Sequence, residues 1–138
     1  MAALLDHDDD IAALLRRTRT IAVVGMSPRP NRASHGVARY LTERGGYDVW
    51  FVNPNETEIL GRPVYASLAA LPEAPDLVDV FRRTAELPEV AAEAIEVGAA
   101  AIWFQLGLVH HDAAAASVAG GLDVVQDRCT KVEHARLL

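Results

Sequence analysis

The stretch TIAVVGMSPRPNRASHGVARYLTERGGYDVWFVNP, residues 20–54, contains a complete strand–helix–strand pattern. Its ends, 20–25 and 47–54, are short apolar runs rich in Val, Ile or aromatic residues and bounded by Gly, Asp, Asn or Pro, which is typical of strands buried on both faces. Between them, residues 37–41 carry apolar side chains at helical spacing, and the glycine pair 45–46 ends the predicted helix. Because parallel strands need a crossover connection, the stretch predicts a parallel sheet.

The same alternation continues along the chain. Three further apolar runs have strand character: DLVDVF (76–81), AAIWFQ (100–105) and LDVVQD (122–127). Residues 82–99 form a predicted helix with Pro88 in its first turn, and the Ala-rich stretch between Asp112 and Gly120 forms another. The pattern predicts an α/β fold of the Rossmann-like three-layer type, with a mostly parallel sheet of about five strands and helices on both faces.

The composition favours a globular protein and argues against a membrane-spanning or secreted one. The 138 residues are 51% hydrophobic and predict a single globular domain over 1–138, with a helical extension over 1–19. No apolar stretch approaches the roughly 18 residues that a membrane span requires. The N-terminal region carries Asp6, Asp8, Asp9 and Asp10 where a signal peptide has basic and apolar residues.

The net charge and the cysteine content indicate which partners and which cellular compartment the protein has. The formal charge of -6, from 13 basic and 19 acidic residues, argues against nucleic acid and membrane surfaces as partners. Cys129 is the only cysteine, so no internal disulfide can form. These features together predict a cytoplasmic protein.

The loop after the first strand has features of a phosphate site. Gly25 permits a sharp turn and a close approach of phosphate to the amides of the following helix. The dinucleotide pattern G-x-G-x-x-G is absent, because position 27 is serine. Ser27 or Ser34 can donate to phosphate oxygens, and Arg29 or Arg32 can add charge. The alternative is a plain turn in which Ser34 caps the helix.

The other strand ends give a mixed signal. VNPN, residues 52–55, stands where NAD-binding proteins commonly carry an acidic residue for the ribose, which argues against NAD and is also compatible with an ordinary turn. Arg82 and Arg83 follow the third strand, and Gln105 ends the fourth. Since arginine is disfavoured near a helix N-terminus unless an anion is present, the pair favours an anionic ligand.

Six motifs, VVGMS, NRASHG, VNP, DVFRR, WFQLG and DRC, occur in order along residues 18–136. Together they resemble the small stand-alone CoA-binding proteins of bacteria. More distantly, they are similar to the CoA-binding domain of the succinyl-CoA synthetase alpha subunit.

The resemblance implies coenzyme A or an acyl-CoA as the ligand. By that resemblance the phosphates lie at the loop of Gly25, Ser27, Arg32 and Ser34. The residues expected along the rest of the crevice are Val52, Asn53, Pro54, Phe81, Arg82, Gln105 and Gly107. Relatives often have lysine where this chain has Asn55, so Arg29, Arg32 or Arg82 would have to compensate.

Two functions stay open at this point. The first is a CoA-binding module, a carrier or regulator without ligase chemistry, because the synthetase's catalytic histidine belongs to a later domain that the resemblance does not cover. The alternative is an enzyme acting on an acyl-thioester or nucleotide, with Cys129 or His35 as its working group.

The pair His110–His111 and the adjacent Asp112 predict no metal site, because adjacent histidines on a helix point in different directions. Asp112 is instead the expected N-cap of the helix that follows.

Overall fold

The sheet has seven strands in the order β3-β4-β2-β1-β5-β6-β7. The structure is a computed structural model that describes all 138 residues. Every neighbouring pair is parallel except β3 and β4, which form an antiparallel hairpin at one edge. The strands are β1 (Thr20–Val24), β2 (Asp48–Val52), β3 (Glu58–Ile59), β4 (Arg62–Tyr65), β5 (Leu77–Val80), β6 (Ala101–Phe104) and β7 (Asp123–Val125).

Helices cover both faces of the sheet and bury two hydrophobic clusters. One face carries α1 (Asp8–Arg17), α2 (Ala33–Glu43) and α5 (Thr130–Leu137). The other carries α3 (Leu87–Glu96) and α4 (His111–Ala119). The predicted three-layer Rossmann-like fold is confirmed. None of the helices combines the length and the apolar character needed to cross a membrane.

The five predicted strands are present, and the hairpin adds two that the sequence did not predict. β3 has only two residues, and β4 contains Pro63, which cannot donate to a sheet and precedes Val64 and Tyr65, the residues of β4 that pair with β2. The turn between them uses Leu60 and Gly61, both with positive φ, and leucine is not a usual turn residue there.

The structure corrects two helix caps, of which one was predicted and one was an open alternative. His110, not Asp112, is the N-cap of α4, and its ring Nδ1 accepts a hydrogen bond from the amide of Ala113 at 3.1 Å. The helix therefore begins at His111. Asp112 lies in its first turn, where the positive end of the helix dipole stabilises a carboxylate. Ser34 does not cap α2 either, because the helix already begins at Ala33 and Arg32 is the N-cap residue.

The predicted N-terminal extension packs against the rest of the chain. Leu4 forms a parallel bridge with Val124 of β7, and the amide of Leu5 donates to the Val124 carbonyl at 2.7 Å. Within α1, Ile11 and Leu15 are at most 1% exposed and belong to the core beneath α2 and α5. The extension is thus part of one hydrophobic core.

The strand order fixes where a ligand can bind. From β1 the chain moves outward through β2 to β4, and then returns to place β5 on the opposite side of β1. Ligands of open parallel sheets bind beyond the carboxyl ends of the strands at such a reversal. In this chain that position lies between Gly25, which follows β1, and Phe81, which follows β5.

Candidate functional site

A crevice of about 580 Å³ lies at this reversal, beyond the carboxyl ends of β1, β2 and β5. The loop after β1, the first turn of α2 and the ends of β2 and β5 form its walls. Nine residues line it: Gly25, Ser27, Arg29, Arg32, Ala33, Ser34, Asn53, Asn55 and Phe81.

Gly25 is required by the backbone geometry. Its φ of +85° lies in the left-handed region, and a Cβ at this position would overlap the carbonyl oxygen of Phe81. The amide of Gly25 donates to the Val52 carbonyl at 3.0 Å, which ties the turn to β2. The absence of a side chain lets the ends of β1 and β5 approach each other at the floor of the crevice.

Two serine hydroxyls hold the loop in shape. The amide of Ser27 donates to Ser34 Oγ at 3.0 Å, and the amide of Arg29 donates to Ser27 Oγ at 3.1 Å. Both hydroxyls act as acceptors in these bonds, so each keeps its proton for another partner. Since both residues line the crevice, the two protons are available to an acceptor such as a phosphate oxygen.

Asn53 braces the loop from the end of β2. Its Nδ2 donates to the carbonyl of Met26 at 2.8 Å, and its Oδ1 accepts from the amide of Asn55 at 2.8 Å. Both ends of the amide are therefore used within the chain. The side chain ties two walls of the crevice together and keeps one N–H and one oxygen lone pair for another partner.

The crevice is electropositive. Neither Arg29 nor Arg32 takes part in any ion pair of the structure, and no acidic side chain lines the crevice. The amides of Ala33 and Ser34, at the start of α2, have no acceptor within the chain, and the first turn carries no acidic residue. Unpaired amides at the positive end of a helix dipole, beside two free guanidinium groups, form an anion-binding arrangement.

The structure brings six of the eleven residues expected to contact a ligand into this crevice: Gly25, Ser27, Arg32, Ser34, Asn53 and Phe81. Val52 is 4% exposed and belongs to the core. Pro54 is exposed but does not line the cavity. Gly107 lies at the end of β6, where its amide donates to Asp127 Oδ1 at 2.7 Å.

Arg82 lies beside the crevice, not in its lining. Its Nε is 3.3 Å from Glu86 Oε2, although this buried nitrogen makes no hydrogen bond of good geometry. Its Cδ lies 3.1 Å from the position that a Cβ on Gly25 would take. The side chain thus packs behind the Gly25 turn, and its charge is partly offset by the Glu86 carboxylate.

Gln105 faces the interior instead of the crevice. Its Nε2 donates to Asp79 Oδ1 and, at 3.0 Å, to Thr130 Oγ1, while the Thr130 hydroxyl donates to Asp79 Oδ2 at 2.9 Å. Asp79 lies in β5 and is 0% exposed. Burial raises the pKa of its carboxyl to about 7, although the hydrogen bonds from Gln105 and Thr130 act in the opposite direction.

Sequence reasoning missed this buried cluster. Asp79 stands inside an apolar run, and the polar residues that satisfy it lie 26 and 51 positions later in the chain. Arg29, which was expected with Arg32 to add charge at the loop, lines the crevice although it was not among the residues expected from the family resemblance to contact the phosphates. The signal for Arg29 was its place between two prolines in the same loop as Arg32.

Neither residue considered as a working group has a catalytic arrangement. His35 is 7% exposed within α2 and does not line the crevice. Cys129 is half-buried at the N-cap position of α5. Its neighbours in sequence are engaged elsewhere, because Glu133 is paired with arginines and His134 Nδ1 is 2.9 Å from the hydroxyl of Tyr40.

The fold and the crevice define a Rossmann-like protein with two unpaired arginines at its switch point. The family model described as CoA binding domain matches residues 19–135. The chain belongs to this CoA-binding domain family.

The most informative relatives are similar over nearly their full length. Uncharacterized protein YneT of Bacillus subtilis (strain 168) is 41% identical over 126 residues, which cover 91% of this chain and 93% of that protein. The solved structure of a hypothetical protein from Pyrococcus horikoshii OT3 is 37% identical, with a TM-score of 0.91 over 99% of this chain and 97% of that chain. Both relatives are small proteins, and this chain covers nearly the whole of each.

A larger protein shares part of the sequence. Acetate--CoA ligase [ADP-forming] I of Archaeoglobus fulgidus is 32% identical over 75 residues, which are 54% of this chain but 11% of the ligase. The similarity therefore concerns one segment of a much longer protein.

Proposed function

We propose that the protein binds coenzyme A or an acyl-CoA in the crevice between β1, β2 and β5, with the phosphates at the loop of Gly25, Ser27, Arg32 and Ser34. It carries out no ligase reaction itself and acts in the cytoplasm as a carrier or regulator of the bound thiol or thioester. Arg29 supplies the second cation, in place of the lysine that relatives often have at the position of Asn55.

One observation carries this proposal. Arg29 and Arg32 lie in one crevice with the unpaired amides of Ala33 and Ser34, and none of these four groups has a partner of opposite charge or an acceptor within the chain. Unpaired cations at a helix N-terminus repel the helix dipole and lower stability. A phosphate offsets that cost, and CoA carries three phosphates.

Calorimetric titration of CoA into wild type, Arg32→Ala and Arg83→Ala tests the assignment. Arg83 is the matched control, since its side chain is 86% exposed and pairs with Glu86 outside the crevice. Loss of a hydrogen bond to a charged group costs about 1.5–3 kcal/mol, so we expect Arg32→Ala to weaken binding by roughly 10- to 150-fold. Equal affinities of the two variants would remove the site assignment.

The enzymatic alternative has less support from the geometry. A cysteine nucleophile needs a base within hydrogen-bond reach, and Cys129 has no hydrogen-bonding partner through its thiol, while His134 contacts Tyr40. Wild-type consumption of an acyl-CoA that Cys129→Ser abolishes would favour the alternative. We expect no thioester consumption by either protein.

A further inference from the structure

A second cavity, of about 550 Å³, lies at the same edge of the sheet beyond the carboxyl ends of β6 and β7. Six of its eleven lining residues are apolar and five are polar or charged. We call it the apolar groove for the first set. Its exposed apolar members are Leu4, Leu106, Val109 and Val132, with exposures of 50%, 72%, 41% and 57%. These are four of the chain's seven exposed large hydrophobic residues. Their convergence on one cavity favours an apolar occupant.

The charges of the groove are acidic or already paired. Arg128, its one cation, is 2.9 Å from Glu133 Oε1 and 3.2 Å from Asp6 Oδ1. Asp127 accepts a hydrogen bond from the amide of Gly107 and has no cation beside it. A carboxylate placed in the groove would meet three acidic residues and no free cation. The groove therefore suits a neutral apolar group and disfavours an anionic one.

The groove continues the line of the candidate crevice. β1, β5, β6 and β7 are consecutive neighbours, and strands lie about 4.8 Å apart, so the ends of β1 and β7 are separated by roughly 14 Å. The pantetheine arm of CoA, from pyrophosphate to sulfur, extends roughly 15 Å by ordinary bond lengths. A thioester whose phosphates lie at Gly25 can thus place its acyl group at the groove.

We propose that the apolar groove binds the acyl group of an acyl-CoA and selects an uncharged aliphatic chain. This inference rests on the proposed function, because the crevice must hold the nucleotide end. Each buried methylene strengthens binding about fourfold, so chain length measures whether the acyl group enters an apolar site.

The test is calorimetric titration with CoA and with acetyl-, butyryl-, hexanoyl- and succinyl-CoA. We expect hexanoyl-CoA to bind at least tenfold more tightly than acetyl-CoA. We also expect butyryl-CoA to bind at least tenfold more tightly than succinyl-CoA, which has a carboxylate where the butyryl chain has its terminal methyl group. Equal affinities within either pair would overturn the inference.

Variants of the apolar groove test whether the dependence of affinity on acyl-chain length arises there. The double change Leu106→Gln and Val132→Gln replaces two exposed side chains and is expected to reduce the hexanoyl-to-acetyl ratio to below threefold. Leu60→Gln is the matched control, since Leu60 is 46% exposed in the β3–β4 turn outside both cavities, and its ratio should equal that of wild type. A ratio unchanged in the double variant would place the acyl group elsewhere and overturn the inference.

Three other outcomes bear on this inference, and the first two separate it from the proposed function. Tight CoA binding with no dependence on chain length would overturn the inference and leave the proposed function standing. Absence of binding by every thioester and by CoA would overturn both. A dimer in light scattering that the double variant dissociates, without any chain-length effect in wild type, would make the groove a contact between two copies and overturn the inference.

Discussion

At the scale of single residues, Gly25 is the position where the crevice tolerates least change. Gly25→Ala combines a positive φ with overlap between the new Cβ and the carbonyl oxygen of Phe81. A strained backbone residue alone costs about 1–3 kcal/mol, so we expect the variant to lose more than about 3 kcal/mol of unfolding free energy. Urea denaturation measures this loss.

Gly61→Ala is the control for Gly25→Ala. Gly61 also has a positive φ, of +70°, but a Cβ there would meet no atom within 4 Å. The loss of unfolding free energy in Gly61→Ala therefore measures the backbone strain alone, about 1 kcal/mol. If both variants lose the same unfolding free energy, the close approach of β1 and β5 does not constrain position 25.

The expected ligand contacts that line the crevice share one property. Gly25, Ser27 and Arg32 lie in the loop that follows a buried strand, Ser34 lies in the first turn of α2, and Asn53 follows the next strand, so chain position alone brings them to the sheet edge. For Arg82 and Gln105, side-chain direction decides the outcome. It depends on Glu86 and Asp79, whose contacts are not visible in the sequence pattern.

At the scale of elements, α1 is an integral part of the core. Leu15 of α1 is 1% exposed in the cluster that also buries α2 residues. Leu15→Ala should therefore lower the unfolding free energy by about 2–5 kcal/mol, the usual cost of such a cavity. Arg16→Ala, at an exposed position one residue later, should change it by less than about 0.5 kcal/mol. Similar values in chemical denaturation would show that α1 is detachable.

The Asp79 cluster connects three elements, since Asp79 lies in β5, Gln105 follows β6 and Thr130 begins α5. The pKa of Asp79 is raised to about 7, so between about pH 4 and pH 7 the folded protein holds a proton that the unfolded chain has lost. The contribution of Asp79 to the unfolding free energy therefore falls as pH rises through this range, by up to about 1.4 kcal/mol per pH unit.

Asp79→Asn isolates this contribution, because asparagine stays neutral at every pH. We expect the melting temperature of the variant, relative to wild type, to rise steadily from pH 4 to pH 7 and to level off above that. Thermal unfolding at a series of pH values measures the difference. Parallel curves for the two proteins would mean that Asp79 does not titrate in this range.

At the scale of the whole molecule, the alternation of strands and helices predicted the layers but not the arrangement of the sheet. Strand order depends on which side of β1 each crossover returns to, and no local pattern records that choice. The β3–β4 hairpin was missed because its strands are short and its turn uses Leu60 instead of a typical turn residue. Only the three-dimensional order shows that the crevice lies between β1 and β5.

Calorimetric titration of the wild-type protein with CoA, dephospho-CoA, ATP and NAD measures directly whether the crevice binds coenzyme A. We expect saturable binding of CoA, weaker binding of dephospho-CoA, which lacks one phosphate, and no detectable binding of NAD. No heat on addition of CoA, or affinity for NAD equal to that for CoA, would contradict the assignment of the crevice to coenzyme A.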